Sequence, residues 1–561
     1  RAVCGIKNRK LILRTDLIEM NYNQAIKYIH QTPKFSRVLG NDLLRALLEK
    51  MNNPHKTLSF IHIAGTNGKG SAAAMISQIL TKSGFKVGLF TSPYIMRYNE
   101  RIKINGVDIS DEDLARETTL VRGIIRKYDT PVSEFALGAA IAMDYFNKSE
   151  CDFVVLETGL GGRLDATNVI EKPLLSIIMS IGLDHTQYLG GTIPEITREK
   201  CGIIKSGCPT VVYPDISEES LKIIKETCAE KNSKLYVSEP PEVGEGNSFL
   251  FNKKEYTLSL SGEFQKYNAA AVLTAIGVLR GIGVDISDAA VDKGLKTAVN
   301  PARFEKLDCG IILDGAHNPP AAAALSETVN KSRKSAVLCV AMMLDKDIAE
   351  VVGEFSKIKP EFVIATQLDD MPRCAAAEVV ADEFVRHGIK AEVIKSPLAA
   401  ARELIERTKN RDDMMPIVCG SLYLCGEVRR RAAAKELCDT FYVYMIRCDD
   451  ESLYCGYTTD LKRRFNEHKS GEKGAKYTRA HGAAAVAAAW TAYSRSAAMR
   501  LEAFLKKLKK TEKEENNGRI QRSYYIDADI VKALKIKAAR EGKKMTDVVN
   551  EILRTGLKDC L

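Results

Sequence analysis

The segment Ile61-His62-Ile63-Ala64-Gly65-Thr66-Asn67-Gly68-Lys69-Gly70-Ser71 joins an apolar run to a run of small residues. The apolar run predicts a buried strand, and the small residues predict the start of a helix. Glycines between them let backbone N–H groups converge on phosphate oxygens, and the helix N-terminus adds positive potential. Lys69 supplies a point charge, and Ser71 can reach Mg²⁺. We therefore expect an ATP-phosphate site at Gly65, Thr66, Asn67, Gly68, Lys69, Gly70 and Ser71.

On both sides of this segment, short β-branched runs alternate with longer amphipathic or small-residue runs. The short runs before residue 300 are 58–64, 87–90, 153–157, 174–180 and 210–212. This alternation predicts a parallel sheet covered by helices, so we expect an α/β P-loop domain over residues 20–298. A second set of runs predicts a smaller, Rossmann-like α/β domain over residues 299–434. Its runs are 311–313, 335–342, 362–366, 391–394 and 416–419.

The loop departs from the ordinary G-x-x-x-x-G-K-[ST] spacing, because Ile63 stands at the first Gly position and Gly70 separates Lys69 from Ser71. The form GTNGKGS resembles the loop of the Mur ligase superfamily. Further motifs extend a resemblance to folylpolyglutamate synthase over about residues 20–434. These motifs are residues 91–101, 157–168, 182–186, 198–205, 262–268, 301–305 and 313–319. The resemblance implies that Glu157 and His185 join Ser71 around Mg²⁺.

The same resemblance implies roles for other side chains. It makes Lys200 the lysine that is carbamylated in this superfamily, places Asn268, Arg303 and Asp314 along the nucleotide, and places His317 near the phosphates. The implied cofactors are ATP and Mg²⁺, and the implied substrates are L-glutamate and tetrahydrofolate or a folylpolyglutamate. In the implied reaction the γ-carboxylate of the folate attacks ATP, and glutamate then displaces phosphate from the acyl phosphate. The implied catalytic residues are Lys69, Lys200, Asp314 and His317.

Four positions depart from the family pattern. Ala136 replaces a usual acid, Ala139 a usual threonine, and Ala302 a usual glycine. Tyr94 stands where many members that also ligate dihydropteroate have His, which favours polyglutamylation.

Two alternatives stay open. One is a bifunctional dihydrofolate/folylpolyglutamate synthase, and the other is a DNA-binding or DNA-nicking protein whose ligase part belongs to a fused reading frame.

The net charge of +10 lies almost entirely in the last fifth of the chain. Residues 441–561 contain 25 Lys and Arg against 16 Asp and Glu, so this segment carries +9. A basic segment on a nearly neutral body suggests a polyanionic partner, most commonly nucleic acid. A solvated basic face is equally compatible with the charge alone.

Residues 439–512 predict a small α+β domain with β-runs at 441–447 and 452–458 and a helix at 460–468. The order of Tyr444, Tyr454, Arg464, His468 and Glu502 resembles a GIY-YIG nuclease domain. That resemblance implies that Tyr444 activates water, Arg464 stabilises the pentacoordinate phosphate and Glu502 holds a divalent cation. The two signature triplets are Tyr-Val-Tyr and Tyr-Cys-Gly, so cleavage activity stays open.

Residues 518–561 begin with an alternating run and continue with two helical patterns, at 528–540 and 546–557. This order resembles a ribbon-helix-helix domain, in which strands from two chains enter the major groove of duplex DNA. The resemblance implies a homodimer, with Gln521, Ser523 and Tyr525 facing bases. The simpler alternative is a short α-hairpin or a coiled-coil appendage.

Fourteen cysteines without any C-x-x-C pair argue against a zinc ribbon. Without a leader peptide they predict reduced thiols in a cytoplasmic protein. No apolar run approaches the roughly 18 residues that span a bilayer, so we expect no membrane association. Met20 resembles a natural start, which makes residues 1–19 an expected extension.

Overall fold

The computed structural model describes residues 19–33, 41–409, 411–437, 441–471, 474–492 and 495–507. The chain divides into two compact units, Arg1–Ala433 and Ala434–Leu561. None of the helices within the described ranges is both long enough and apolar enough to cross a membrane. The cysteines within the same ranges are free thiols, and most of them are buried.

Eight strands of the first unit form one sheet: β1 Phe60–Ala64, β2 Val87–Phe90, β3 Ile102–Ile104, β4 Val107–Asp108, β5 Phe153–Glu157, β6 Leu175–Ile178, β7 Thr210–Val212 and β8 Leu235–Val237. Their order across the sheet is β4-β3-β2-β5-β1-β6-β7-β8. The central strand β1 pairs in parallel with β5 and β6, whereas β3 and β4 pair in antiparallel fashion at one edge. The expected parallel sheet is therefore confirmed, and β3, β4 and β8 are additional short strands that the sequence did not indicate.

Helices cover both faces of this sheet: α1 Tyr22–Gln31, α2 Asp42–Lys50, α3 Lys69–Lys82, α4 Asp111–Tyr128, α5 Glu134–Lys148, α6 Thr186–Leu189, α7 Ile193–Cys201, α8 Glu218–Glu230, α9 Glu263–Gly281 and α10 Asp288–Thr297. Successive side chains of a strand alternate between faces, so Ile61 joins the core beneath α3 and α9, and Phe60 joins the core beneath α4 and α5. Helix α10 packs so closely on α3 that a Cβ at Gly294 would lie 2.6 Å from the Ile79 Cα.

A small antiparallel sheet follows the large one: β9 Glu242–Val243, β10 Ser248–Phe251 and β11 Lys254–Thr257. Phe249 and Phe251 on β10 are buried in the same core as α9. This sheet was not expected from the sequence, because its strands are short and its outer strands are largely polar.

The second α/β domain contains six strands: β12 Glu305–Lys306, β13 Ile312–Leu313, β14 Ser335–Val340, β15 Phe362–Ala365, β16 Ala391–Val393 and β17 Met414–Cys419. Their order is β12-β13-β17-β14-β15-β16, and every pairing is parallel except that of β12 with β13. The accompanying helices are α11 Pro319–Lys331, α12 Ile348–Ser356, α13 Ala377–Arg386, α14 Pro397–Thr408 and α15 Leu422–Ala433. All five runs proposed for this domain are strands.

The second unit has three strands, β18 Phe441–Arg447, β19 Leu453–Thr458 and β20 Ala485–Ala492, and three helices, α16 Leu461–Ser470, α17 Lys476–His481 and α18 Arg495–Lys507. The order β19-β18-β20 is antiparallel throughout. Strand β20 was not expected, since its alanine-rich sequence has weak β-propensity.

Two sequence-based expectations fall outside the described residues. One is the ribbon-helix-helix segment 518–561, including Gln521, Ser523 and Tyr525, and the other is the extension before residue 19. Both stay predictions.

Candidate active site

The glycine-rich loop lies between β1 and α3, at the carboxyl end of the central strand. Gly68 precedes the first residue of α3 and has φ of +83°. A Cβ at this position would lie 2.4 Å from the Asn268 Oδ1, so only glycine fits. Lys69 Nζ donates to the carbonyl oxygens of Gly65, at 3.0 Å, and Thr66, at 3.2 Å. The first turn of α3 therefore presents backbone N–H groups and an ammonium to one concave space.

Most of the sequence-predicted site residues line this one cavity, although they come from distant parts of the chain. Besides residues 65–71 they are Glu157, His185, Lys200, Arg303 and His317. Glu157 ends β5, His185 precedes α6, and Lys200 lies on α7, so the first domain supplies these three. Arg303 and His317 belong to the second α/β domain. The sequence-based grouping of these residues thus has a geometric basis.

Ser71, Glu157 and His185 present a hydroxyl, a carboxylate and an imidazole to the cavity. Glu157 is 3% exposed, and its Oε2 accepts from the Ser92 N–H at 3.0 Å. Burial raises the pKa of Glu157, against the opposing charge of Lys69. Burial also lowers the pKa of His185, despite the neighbouring Asp184, so the imidazole favours the neutral form that can bind a cation.

This donor set fits Mg²⁺, a hard cation that prefers oxygen ligands and keeps water or phosphate in its remaining positions. No group of three His, Cys, Asp or Glu within the described ranges is placed to hold a metal by itself. Mg²⁺ is usually bound by one or two carboxylates together with substrate phosphates, so Ser71, Glu157 and His185 suit a metal–nucleotide complex.

Lys200 is the most deeply buried amine in the cavity wall, with 2% exposure. Burial, together with the charge of Lys69, lowers the pKa of Lys200 to about 7. A large part of this amine is therefore neutral near neutral pH, and a neutral amine is nucleophilic. That property suits the carbamylation implied by the resemblance.

Asp314 and Asn268 do not line the cavity. The Asp314 carboxylate accepts from the backbone N–H groups of Phe304 and Ala316, both at 2.9 Å. It therefore fixes the turn that carries Arg303 into the cavity. Asn268 lies behind the loop, where its Nδ2 donates to the Gln265 Oε1 at 3.0 Å. Direct nucleotide contact by these two residues stays a prediction.

His317 is oriented by its own backbone segment. Its Nδ1 lies 2.7 Å from the Gly315 carbonyl oxygen, which can only accept, so Nδ1 carries the proton and donates. Burial and the charge of Lys346 lower the pKa of His317 to about 4. The neutral ring therefore directs an unprotonated Nε2 toward Asp184, which lies 3.9 Å away.

Sequence reasoning missed a polar cluster that joins the two α/β domains. Asp184 accepts from Lys346 Nζ at 2.6 Å and from Asn318 Nδ2 at 2.7 Å, and Asn300 Nδ2 donates to Ser71 Oγ at 3.0 Å. Asp184 lies in the motif 182–186 and Asn318 in the motif 313–319, so both could have been proposed as site residues. Lys346 lies between two aspartates in a polar loop and carried no such signal.

A second group of aromatic side chains surrounds Arg101. The guanidinium lies over the rings of Tyr94, Tyr98 and Phe135 at 5.3–6.0 Å. The Arg101 Nε and Nη1 are buried and find no hydrogen-bond partner among the described residues. A buried donor pair without an acceptor is costly, so this place suits an anionic or carbonyl-bearing ligand. The departures Ala136 and Ala139 lie in the buried face of α5 nearby.

In the second unit, the candidate residues Tyr454, Arg464 and His468 lie around a fourth candidate, Tyr444. The Tyr444 hydroxyl lies 2.8 Å from His468 Nε2 and bonds to Arg464, and burial raises the pKa of Tyr444 to about 12. The Tyr454 and His468 rings are 5.1 Å apart. Gly456 is required beside them, because its Cβ would lie 2.6 Å from the Tyr444 Oη.

Glu502, the fifth candidate, lies on α18 and pairs with Lys506 at 2.7 Å. Burial raises the pKa of Tyr454 against the opposing charges of Lys506 and Arg464, and the charge of Glu502 adds a smaller rise. Thr478 was missed by the sequence reasoning. Its hydroxyl lies 2.6 Å from His468 Nδ1 and completes the polar chain behind Tyr444.

Three family matches cover most of the chain. Residues 63–276 match the Mur ligase middle domain, and residues 298–431 match the dihydrofolate synthetase C-terminal domain. Residues 440–516 match the GIY-YIG catalytic domain. The second unit therefore contains a GIY-YIG domain, as its tyrosine and arginine order indicated.

Relatives and solved structures agree with the first two of these matches. A dihydrofolate synthase/folylpolyglutamate synthase of Bacillus subtilis is 35% identical over 436 residues, which are 73% of this chain and 99% of the relative. A folylpolyglutamate synthase of Lacticaseibacillus casei is 31% identical over 73% of this chain and 98% of the relative. The structure of E. coli FolC with DHPP and ADP matches with a TM-score of 0.66 and 26% identity, over 74% of this chain and 98% of that one.

A structure of the bifunctional enzyme from Yersinia pestis, complexed with AMPPNP and a Mn ion, matches with a TM-score of 0.64 and 28% identity, over 74% of this chain and 98% of that one. This neighbour binds a nucleotide and a divalent metal on the same fold. Since the chain also covers nearly the whole length of relatives that are more than 30% identical to it, this chain belongs to the dihydrofolate synthase/folylpolyglutamate synthase family of Mur ligases.

Proposed function

We propose that residues 20–434 form an ATP-dependent ligase that joins L-glutamate to the γ-carboxylate of tetrahydrofolate or a folylpolyglutamate. The observation that carries this proposal is the single cavity lined by the glycine-rich loop, Glu157, His185, Lys200 and two residues of the second domain. Residues 20–298 would bind ATP, and residues 299–434 would bind glutamate. We also propose a cytoplasmic location, on the basis of the cysteine usage.

The charged side chains of the cavity would act mainly by electrostatic stabilisation. A γ-carboxylate oxygen attacks the γ-phosphorus of ATP, the bond to the ADP oxygen breaks, and an acyl phosphate forms. Lys69 and Arg303 would neutralise charge on the transferring group. Ser71, Glu157 and His185 would hold Mg²⁺, which supplies further positive charge at the phosphates.

The second step needs an amine and the absence of water. The glutamate nitrogen attacks the acyl carbon, the bond from that carbon to the phosphate oxygen breaks, and the amide and inorganic phosphate leave. The neutral His317 has an unprotonated Nε2 that can take the proton released by the amine. Carbamylated Lys200 would carry negative charge and help to hold a second cation.

The folate end of the substrate would lie against Tyr94, Tyr98 and Phe135. These rings offer stacking surfaces, and Arg101 offers hydrogen-bond donors that lack partners among the described residues. Tyr94 is half-buried beside Tyr98, with ring centroids 5.8 Å apart. The alternative is that dihydropteroate is also a substrate. The paired activities in the name of the Bacillus subtilis relative favour it.

Product analysis tests the ligase proposal and separates the two substrates. The full chain is incubated with ATP, Mg²⁺, glutamate and either tetrahydrofolate or dihydropteroate, and products are identified by mass spectrometry. Glutamylated tetrahydrofolate is expected. Lys69→Met should abolish it, whereas Lys82→Met, at the other end of α3, should not. Absence of both glutamylated products from the unmodified chain would overturn the proposal.

For the second unit we propose metal-dependent cleavage of DNA by residues 439–512. The cluster of Tyr444, Arg464 and His468, with Glu502 on α18, supports this assignment. Tyr444 or Tyr454 would activate water, Arg464 would stabilise the phosphate, and Glu502 would hold the cation. In the full chain, Glu502→Ala should abolish Mg²⁺-dependent nicking and leave DNA binding intact. Glu451→Ala removes an exposed carboxylate that pairs with Arg447 and should leave nicking unchanged.

We further propose that residues 518–561 form a ribbon-helix-helix dimer that binds duplex DNA. The sequence pattern and the basic charge of residues 441–561 support this. DNA affinity of the full chain should fall steeply with salt, and sedimentation should give a dimer. Gln521→Ala and Ser523→Ala should reduce preference among duplex sequences. Affinity that does not change with salt, or a monomer at all concentrations, would contradict this assignment.

A further inference from the structure

One carboxylate of the first domain receives two hydrogen bonds from the second. Asp184 follows β6 in the first domain, and its Oδ1 accepts from Lys346 Nζ at 2.6 Å. Its Oδ2 accepts from Asn318 Nδ2 at 2.7 Å. The Asp184 and Lys346 side chains are each 10% exposed, so water screens this ion pair little.

Asn318 also reaches the glycine-rich loop. Its Oδ1 lies 3.2 Å from Asn67 Nδ2 and accepts from the Ala321 N–H at the start of α11. The side chain is 2% exposed. Asn318 therefore connects the loop, the Asp184 segment and the first turn of a second-domain helix. Its bonds to Asn67 and Asp184 require the two domains to be together, whereas its bond to Ala321 lies within the second domain.

The surroundings of Asp184 make this contact specific. The Nε2 atoms of His185 and His317 lie 3.8 and 3.9 Å from its oxygens, beyond hydrogen-bond distance. Lys346 is the ammonium placed directly against the carboxylate. If the domains separate, Asp184 loses both bonds from the second domain, and Lys346 loses its carboxylate partner.

We propose that Lys346 and Asn318 are positioning residues that hold the two domains closed at Asp184 and thereby couple ATP cleavage to amide formation. This inference rests on the proposed ligase function. The acyl phosphate has two possible fates. With the domains closed, the glutamate nitrogen attacks the acyl carbon and the amide forms. With the domains apart, a water oxygen attacks the same carbon, the bond from carbon to the phosphate oxygen breaks, the carboxylate and phosphate leave, and the protons pass to solvent.

The test measures phosphate released and amide formed by the full chain at saturating ATP, folate and glutamate. The unmodified chain should release about one phosphate per amide, as the proposed chemistry requires. Lys346→Met and Asn318→Ala should each raise the ratio of open to closed chain by about tenfold, since each removes a buried hydrogen bond to a charged group. Both should therefore release several phosphates per amide.

Lys331→Met is the matched control. Lys331 on α11 also pairs across the domains, with Glu263 at 2.7 Å, but its side chain is 52% exposed and does not line the cavity. Exposed pairs contribute little, so this variant should keep the unmodified ratio. The double variant Asp184→Asn/Lys346→Met should uncouple no more than Asp184→Asn alone, because the two substitutions disrupt the same ion pair between Asp184 and Lys346.

The outcomes are distinguishable. No amide from the unmodified chain would overturn the ligase proposal itself. Amide from the unmodified chain, with one phosphate per amide in both Lys346→Met and Asn318→Ala, would overturn the coupling role. A rise in the glutamate KM of Lys346→Met alone, with coupling intact, would make Lys346 a substrate contact and also overturn it. Should Lys346→Met fold poorly, Asn318→Ala still decides.

Discussion

Replacing Gly68 by alanine tests whether the shape of the glycine-rich loop depends on this one position. Gly68 has φ of +83° immediately before α3. An added Cβ would lie 2.4 Å from Asn268 Oδ1 and 3.3 Å from Met179 Cε. Asn268 cannot withdraw freely, because it is buried and its Nδ2 donates to Gln265 Oε1.

Two costs combine in Gly68→Ala. A left-handed conformation costs a residue with a Cβ about 1–2 kcal/mol. Displacing the Asn268 amide from its buried hydrogen bond costs about 1–3 kcal/mol more. The expected destabilisation is therefore about 2–5 kcal/mol. Gly84→Ala, after the other end of α3, has φ of +94° and open space around the Cβ, so only the first cost applies there.

Hydrogen exchange measured by mass spectrometry on peptides from β1 and α3 reports this local free energy. The only tryptophan, Trp490, lies in the second unit, so unchanged tryptophan fluorescence shows that the second unit is intact. In an Asn268→Ala background the clash disappears, and Gly68→Ala should then cost no more than Gly84→Ala. Equal costs of Gly68→Ala in both backgrounds would refute the reasoning.

Three further predictions follow from burial and backbone conformation. Because the pKa of Lys200 is about 7, the neutral fraction of its amine rises from about 10% at pH 6 to about 90% at pH 8. The NMR signal of the carbamate formed with ¹³CO₂ should rise in parallel, and Lys200→Met should lack this signal. Lys148→Met removes the 2.6 Å partner of the buried Glu117 and leaves Arg116 at 3.3 Å, and it should cost about 1–3 kcal/mol at pH 8 in urea unfolding. The loss should be smaller at pH 5, since burial raises the pKa of Glu117 and favours protonation. Ala302→Gly relieves φ of +57° and should stabilise the first unit by up to about 1 kcal/mol.

The elements around the loop were predictable because local sequence determines them. Strand β1 is a continuous apolar run with both faces buried, which is typical of a central parallel strand. The glycines and Lys69 mark the turn, and alanines mark the helix that packs closely behind it. Glu157 and His185 were also predictable, since motifs after parallel strands meet at one edge of the sheet.

Other features depend on contacts that no local pattern contains. Strand β20 is rich in alanine, and its place beside β18 depends on pairing rather than on propensity. Lys346 forms its ion pair with Asp184 only when the two α/β domains, each with its own sheet, lie against each other. The Asp314 carboxylate accepts from the Phe304 and Ala316 N–H groups, and these contacts depend on the path of a turn.

The two proposed chemistries place opposite demands on water. A ligase must keep water from an acyl phosphate, and its candidate residues Glu157 and Lys200 are 3% and 2% exposed. A nuclease must admit water as the nucleophile, and the Arg464 and Glu502 side chains are 27% and 17% exposed. Since the candidate residues of each site belong to one compact unit, we expect the two chemistries to be independent. Substitution of Glu502 should therefore leave amide formation unchanged, and substitution of Lys69 should leave nicking unchanged. A loss of both activities from either substitution would show that the two sites are coupled.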